Sequence, residues 1–168
     1  MTTNTDVYTT DLYAWCLTTA ALVRQGQWDA IDPEALAEEL ESLGKSQKRE
    51  LESRLEVLVM HLLKWEYQPE LQQQSHSWHD TILEQRNTIA RLLRDNPSLR
   101  PQVPAILADI YPGARQRAIG EMTPEMTLRR QTRARGFSFS PENRLALLPT
   151  TCLWTDVEIL DKDFWPLS

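Results

Sequence analysis

The sequence predicts an all-α protein. Apolar residues recur at helical spacing along most of the chain, and no segment alternates apolar and polar residues over more than a few positions. Breaks fall at Gly, Pro and capping residues separated by short loops, which favours antiparallel neighbours. The expected architecture is a mostly antiparallel bundle of about five main helices, a short C-terminal helix and a docked aromatic tail. One helical domain over residues 1–168 is expected, with a core bundle at 8–120, an Arg-rich helix and loop at 121–145, and a tail at 146–168.

The first helix is predicted over residues 8–24, where Tyr8, Leu12, Trp15, Thr19, Leu22 and Val23 share one stripe. Gly26 suits a left-handed stop. Asp32 and Pro33 read as the N-cap and first position of a second helix, with Ala35, Leu36, Leu40 and Leu43 inward and Gly44 ending or kinking it. A third helix is predicted over 46–67. Its Leu51, Leu55, Leu58, Leu62 and Trp65 fall within about 80° of one another at about 100° per residue. Glu50 and Arg54 pair along its border, and Pro69 ends it.

The polar stretch QPELQQQSHS reads as a loop. Ser77, with Asp80 three residues on, is the expected cap of a fourth helix reaching about Arg94, striped by Trp78, Ile82, Ile89 and Leu92. After Asn96–Pro97, Ser98 is the expected cap of a fifth helix. It has Pro101 in its first turn, Leu99, Val103, Ile106, Leu107 and Ile110 apolar, and a kink at Pro112. A short basic helix over 124–135 closes at Gly136, and FSFSPEN follows as a loop. Thr155 and Glu158 form a capping box for the last short helix, and Phe164, Trp165 and Pro166 should dock onto the bundle.

Composition narrows the function classes. Apolar residues make up 41% and charged residues 25%, ordinary values for a globular domain, and the six Trp can bury large areas. No apolar run approaches the ~18 residues of a membrane span, and the N-terminal residues lack a secretory pattern. Cys16 and Cys152 form no metal-type spacing, so free thiols in a reducing cytoplasm are expected. The net charge of −6 is uneven: residues 1–70 carry 13 acids and 6 bases, 71–135 carry 6 and 10, and 136–168 carry 5 and 2. A basic middle within an acidic chain suggests surfaces that complement each other within the fold or a dimer more than a nucleic-acid domain.

Several runs carry a family resemblance: HLLKWEYQP at 61–69, SWHDTILEQRNTIARLL at 77–93 and NPSLRP at 96–101. YTTDLYAWCLTTAALVRQGQWDAID at 8–32 and CLWTDVEILDKDFWP at 152–166 carry it too. Together the chain resembles the bacterial domain of unknown function 29 family, common in cyanobacteria. The resemblance implies an all-helical bacterial protein without an established activity, and it supplies no catalytic residues. The chain departs from the pattern over 121–145, and the loop before Ser77 lacks the pattern's basic residues.

The candidate chemistry centres on His61, the single polar side chain in the apolar block from Val57 to Leu63. Gln85 falls in the middle of the fourth helix's apolar stripe, where its amide needs a buried partner. His61, Gln85, Arg86, Glu39 and Trp65 are therefore the candidate members of one buried polar network. Such a histidine could titrate near neutrality and act as an acid or base. However, no nucleophile elbow exists, and only five glycines leave no phosphate loop. A bundle metal site wants Glu-x-x-His, but Leu58 stands three residues before His61. His76 and His79 sit one turn apart on a polar stretch, and Glu38, Glu39 and Glu41 read as a solvated face. No metal and no cofactor are expected.

Arg129, Arg130, Arg133 and Arg135, with Phe137 and Phe139 nearby, are candidate anion contacts, and weak nucleic-acid binding through 115–135 is one alternative. A metal-dependent or acid–base enzyme around His61 is another. The favoured expectation is a non-enzymatic, cytoplasmic protein-interaction or oligomerising bundle, whose partner is an unknown protein or a second copy.

Overall fold

A computed structural model describes residues 4–72, 76–122 and 148–166. These residues are helical with no strand among them. The helices are α1 (Asn4–Thr10), α2 (Leu12–Gln25), α3 (Pro33–Tyr67), α4 (Pro69–Gln72), α5 (His76–Asp95), α6 (Val103–Glu121) and α7 (Asp156–Leu160). Short 3-10 turns cover Trp28–Ala30 and Pro97–Gln102. The Arg-rich helix and FSFSPEN loop expected over 124–145 lie outside the described residues. The chain forms two compact units, Met1–Ser46 and Gln47–Ser168.

The N-terminal unit is built from α1, α2 and the first turns of α3. The helix expected over 8–24 is split. Asp11 breaks it, its carboxylate accepting the Ala14 N–H at 3.0 Å as the cap of α2. Gly26 ends α2 in the left-handed region at φ 68°, a conformation glycine adopts without a Cβ penalty. Asp32 caps α3 as expected, accepting the N–H groups of Glu34 and Ala35 at 3.1 and 3.2 Å. Trp15, Thr19 and Ala35 are buried, and the Trp15 ring tilts against Tyr8 at 4.9 Å. Leu40 and Leu43, read as inward, are instead 61% and 62% exposed. Their stripe is continuous with Leu36, but nothing in this small unit covers it.

The C-terminal unit holds the main core. Leu51, Leu55, Leu58 and Leu62 of α3 pack with Ile82 and Ile89 of α5, Val103, Ile106 and Leu107 of α6, and Ile159 of α7. The Glu50–Arg54 pair closes at 2.8 Å, and Thr155 and Glu158 form both halves of the capping box. Three expected boundaries shift. Gly44 neither ends nor breaks α3, which runs unbroken for 35 residues. α5 begins at His76, so Ser77 lies inside it and offers its backbone carbonyl to Thr81 Oγ1 at 2.7 Å. Pro101 lies in the 3-10 turn rather than in α6, and Ser98 accepts from Gln102 through its carbonyl. Pro112 lies within α6.

α6 approaches α3 closely. A Cβ on Gly113 would meet Glu56 Oε1 at 2.8 Å, and Glu56 pairs with Arg117 at 3.3 Å.

Candidate functional site

His61 is half-buried on α3. Its Nδ1 lies 2.9 Å from the Val57 carbonyl one turn earlier, the geometry of an Nδ1–H donating to its own helix. Burial lowers its pKa below the ordinary histidine value, the Val57 bond opposes that, and nearby Lys64 adds to the lowering. Lys64, one turn further on, is only 5% exposed. Its ammonium meets Glu121 at the end of α6 at 2.6 Å and sits 4.6 Å over the Trp78 ring of α5. A buried lysine needs such partners, because an uncompensated charge there is costly. His61, Lys64, Glu121 and Trp78 thus form a polar junction of α3, α5 and α6. The sequence singled out only the histidine, because Lys64 one turn on looks like an ordinary surface lysine and its partners Trp78 and Glu121 stand 17 and 60 residues from His61.

Gln85 and Arg86 lie inside the C-terminal unit, as their place on the stripe suggested, but their surroundings differ. The Arg86 guanidinium donates to the carbonyls of Ile159 at 2.9 Å, Phe164 at 2.8 Å and Lys162 at 3.5 Å. It also lies 5.4 Å from the Trp165 ring centroid. Trp165 tilts against Trp65 at 4.8 Å and stacks face to face on His79 at 4.8 Å. Arg86, Trp65 and His79 therefore converge on the tail, and the tail residue Trp165 joins them. Gln85 is buried with no hydrogen-bond partner for its Oε1 among the described residues. His61 bonds to its own helix rather than to Gln85.

A second set of side chains holds the start of the tail. Tyr111 donates to the Pro149 carbonyl at 2.9 Å, and Arg115 donates to the Leu148 carbonyl through Nε and Nη2 at 3.2 and 3.0 Å. Burial pushes the Tyr111 pKa up to about 12. The tail has no sheet ladder to satisfy its carbonyls, and these donors take that role. Beside it lies a pocket of about 400 Å³ lined by Pro104, Tyr111, Cys152 and Trp154 among others. The Cys152 thiol is raised in pKa by burial and donates to the Trp154 carbonyl at 3.4 Å, so it is a poor nucleophile.

Glu39 belongs to the N-terminal unit. It accepts the Tyr8 hydroxyl at 3.0 Å, with Glu38 accepting at 3.2 Å. The Glu39 bond, then burial and the Glu38 bond, push the Tyr8 pKa up to about 12. Glu39 also lines an apolar groove of about 470 Å³ between α2 and α3. Its walls are Trp15, Cys16, Thr19, Ala20, Val23 and Arg24 on α2, and Leu36, Leu40 and Leu43 on α3. Trp15 Nε1 and Thr19 Oγ1 are buried there without a hydrogen-bond partner among the described residues.

Arg129, Arg130, Arg133 and Arg135 lie outside the described residues, as do Phe137 and Phe139. Of the basic segment's described members, Arg115 holds the Leu148 carbonyl and Arg117 pairs with Glu56. Among the described residues no group of three His, Cys, Asp or Glu could hold a metal ion. His79 is stacked on Trp165, and the side chain of His76 lies outside the description.

The fold defines an all-α protein with two helical units and a tail held by arginine and aromatic side chains. The family model for the domain of unknown function DUF29 matches residues 7–165, and the chain belongs to that family. Neither the curated proteins nor the solved structures compared with it give a match.

Proposed function

We propose that this DUF29 protein works by binding protein surfaces, as a non-enzymatic interaction or oligomerising module of the bacterial cytoplasm. One observation carries the reading: the N-terminal unit leaves an apolar groove of about 470 Å³ open between α2 and α3, edged by exposed Leu40 and Leu43. A groove between two helices, lined by residues at i, i+4 and i+7, accepts a further helix. His61 supports the same reading. Its Nδ1 is tied to its own helix and its neighbours Lys64 and Glu121 form an ion pair between α3 and α6, an arrangement that fixes helix packing. The cytoplasmic assignment is supported by free Cys16 and Cys152, and no helix among the described residues is long and apolar enough to cross a membrane.

The test places a photo-crosslinking amino acid at position 40 and, as a control, at exposed Arg91. Irradiation of living cells should give a discrete higher-mass adduct from position 40 and none from position 91. No adduct from position 40 would remove the interaction reading.

A further inference from the structure

α2 reads LYAWCLTTAALVRQ, fourteen residues with a single charged side chain, Arg24. A helix that is apolar around most of its circumference belongs in an interior. Yet Leu12, Tyr13 and Leu17 are 46%, 76% and 57% exposed. Tyr13 and Leu17 stand three residues before Cys16 and Ala20 of the groove wall, so they adjoin it on the helix surface. Leu40 and Leu43 carry the apolar surface along the other wall.

We infer that the N-terminal unit pairs with the same unit of a second copy of this chain, so that two α2–α3 hairpins close into a four-helix arrangement about a two-fold axis. The inference rests on the interaction reading above and names its partner. Three features favour a second copy over an unrelated helix. The first is charge. The groove carries Arg24 on its α2 wall and Glu39 on its α3 wall, and Arg24 has no ion-pair partner among the described residues. A two-fold interface lets residue i meet residue j and j meet i, so each Arg24 can face the other copy's Glu39. The remaining acids of this stretch, Glu38 and Glu41, each stand two residues from Leu40 or Leu43. They therefore project about 200° away from the groove.

The second feature is area. Leu12, Tyr13, Leu17, Leu40 and Leu43 present roughly 500–600 Å² per copy before the groove walls are added, near the ~800 Å² per partner of a standard interface. The third is the interface centre. Cys16 and Ala20 are small and not buried, which allows two α2 helices to approach closely at an axis.

The test uses the purified full-length chain in light scattering. The expected mass is twice the 19.5 kDa of one chain. Leu17→Asp with Leu40→Asp should halve it, while helicity by circular dichroism stays unchanged because both side chains are exposed. Arg24→Glu, which alters no packing, should weaken the dimer at least tenfold. Leu153→Asp with Val157→Asp, on exposed residues of the C-terminal unit, should leave the mass doubled. In Cys152→Ser, a bis-maleimide should link two chains through Cys16. A dimer that survives the N-terminal double variant, or one dissolved by the C-terminal control, overturns the inference. So does a monomer at high concentration. If that monomer still gives an adduct to a different protein from position 40 in cells, self-pairing fails while the interaction reading stands. With no adduct, both fall.

Discussion

Burial lowers the His61 pKa, while the Val57 carbonyl accepting from Nδ1 opposes the shift. Lys64 reinforces the lowering and Glu121 resists it. The folded protein thus keeps this ring neutral at a pH where the unfolded chain, near the ordinary ~6.5, has begun to take up a proton. Protons then favour the unfolded chain, so the stability from neutral His61 is present above that window and declines as pH falls through it. The urea midpoint should therefore drop between pH 7.5 and pH 5.5, and drop less in His61→Gln. Equal drops in the two proteins would show that the ring is not the titrating group. The sequence disclosed that His61 and Gln85 lie in apolar surroundings, because a break in a periodic stripe is local information. It did not disclose the partners. Lys64 meets Glu121 57 residues away, and Arg86 meets Phe164 78 residues away. Such pairings follow from the packing of several helices at once.

The unbroken course of α3 past Gly44 shows how a local signal loses to its neighbours. Glycine within a helix costs about 1 kcal/mol against alanine. That is a small term beside the consecutive hydrogen bonds of a 35-residue helix. A Cβ at Gly44 would meet nothing within 4 Å. Gly44→Ala should therefore stabilise the protein by about 0.5–1 kcal/mol, through a less flexible unfolded chain and a better helix former. A thermal melt followed at 222 nm would show it as a rise in midpoint, and a fall would mean that the helix needs a hinge there. Gly26 is the contrast. Its φ of 68° makes any side chain strained, although the space around it is equally open. Both glycines look alike in sequence. What separates them is whether capping geometry follows: the Gly26 N–H closes onto the Val23 carbonyl at 3.1 Å, whereas Gly44 lies inside a continuing ladder.

Across the whole molecule, burial is uneven. The core cluster of large apolar side chains lies entirely in the C-terminal unit, while the N-terminal unit buries little beyond Trp15 and Ala35. Local stability follows such differences in buried apolar surface. Amides of α2 should exchange with deuterium faster than those of α5 in dilute protein, and those of α2 and the first turns of α3, but not of α5, should slow as concentration rises. Equal protection of α2 and α5 at high dilution would contradict this. The overall fold was legible because six separate stretches among the described residues each carried helical spacing or a cap. The exposure of Leu40 and Leu43 was not, because periodicity tells which side chains share a face and says nothing of what stands opposite. The same limit hid the groove, whose walls were visible as two stripes and whose opening was not.

The Arg86 fork grips main-chain oxygens at Ile159, Lys162 and Phe164, so what it senses is the path of the polypeptide. Asp161, Lys162 and Asp163 are exposed, and of their side chains only the Asp161 carboxylate takes part, accepting the Asp163 N–H at 3.0 Å and attracting the Arg86 charge. A planar guanidinium with donors splayed along an edge can span three such oxygens, and the compact ammonium of lysine cannot. The closing loop can therefore be rewritten for labels or inserted epitopes with its docking intact, provided that position 86 keeps its fork, position 161 its carboxylate and Trp165 its ring.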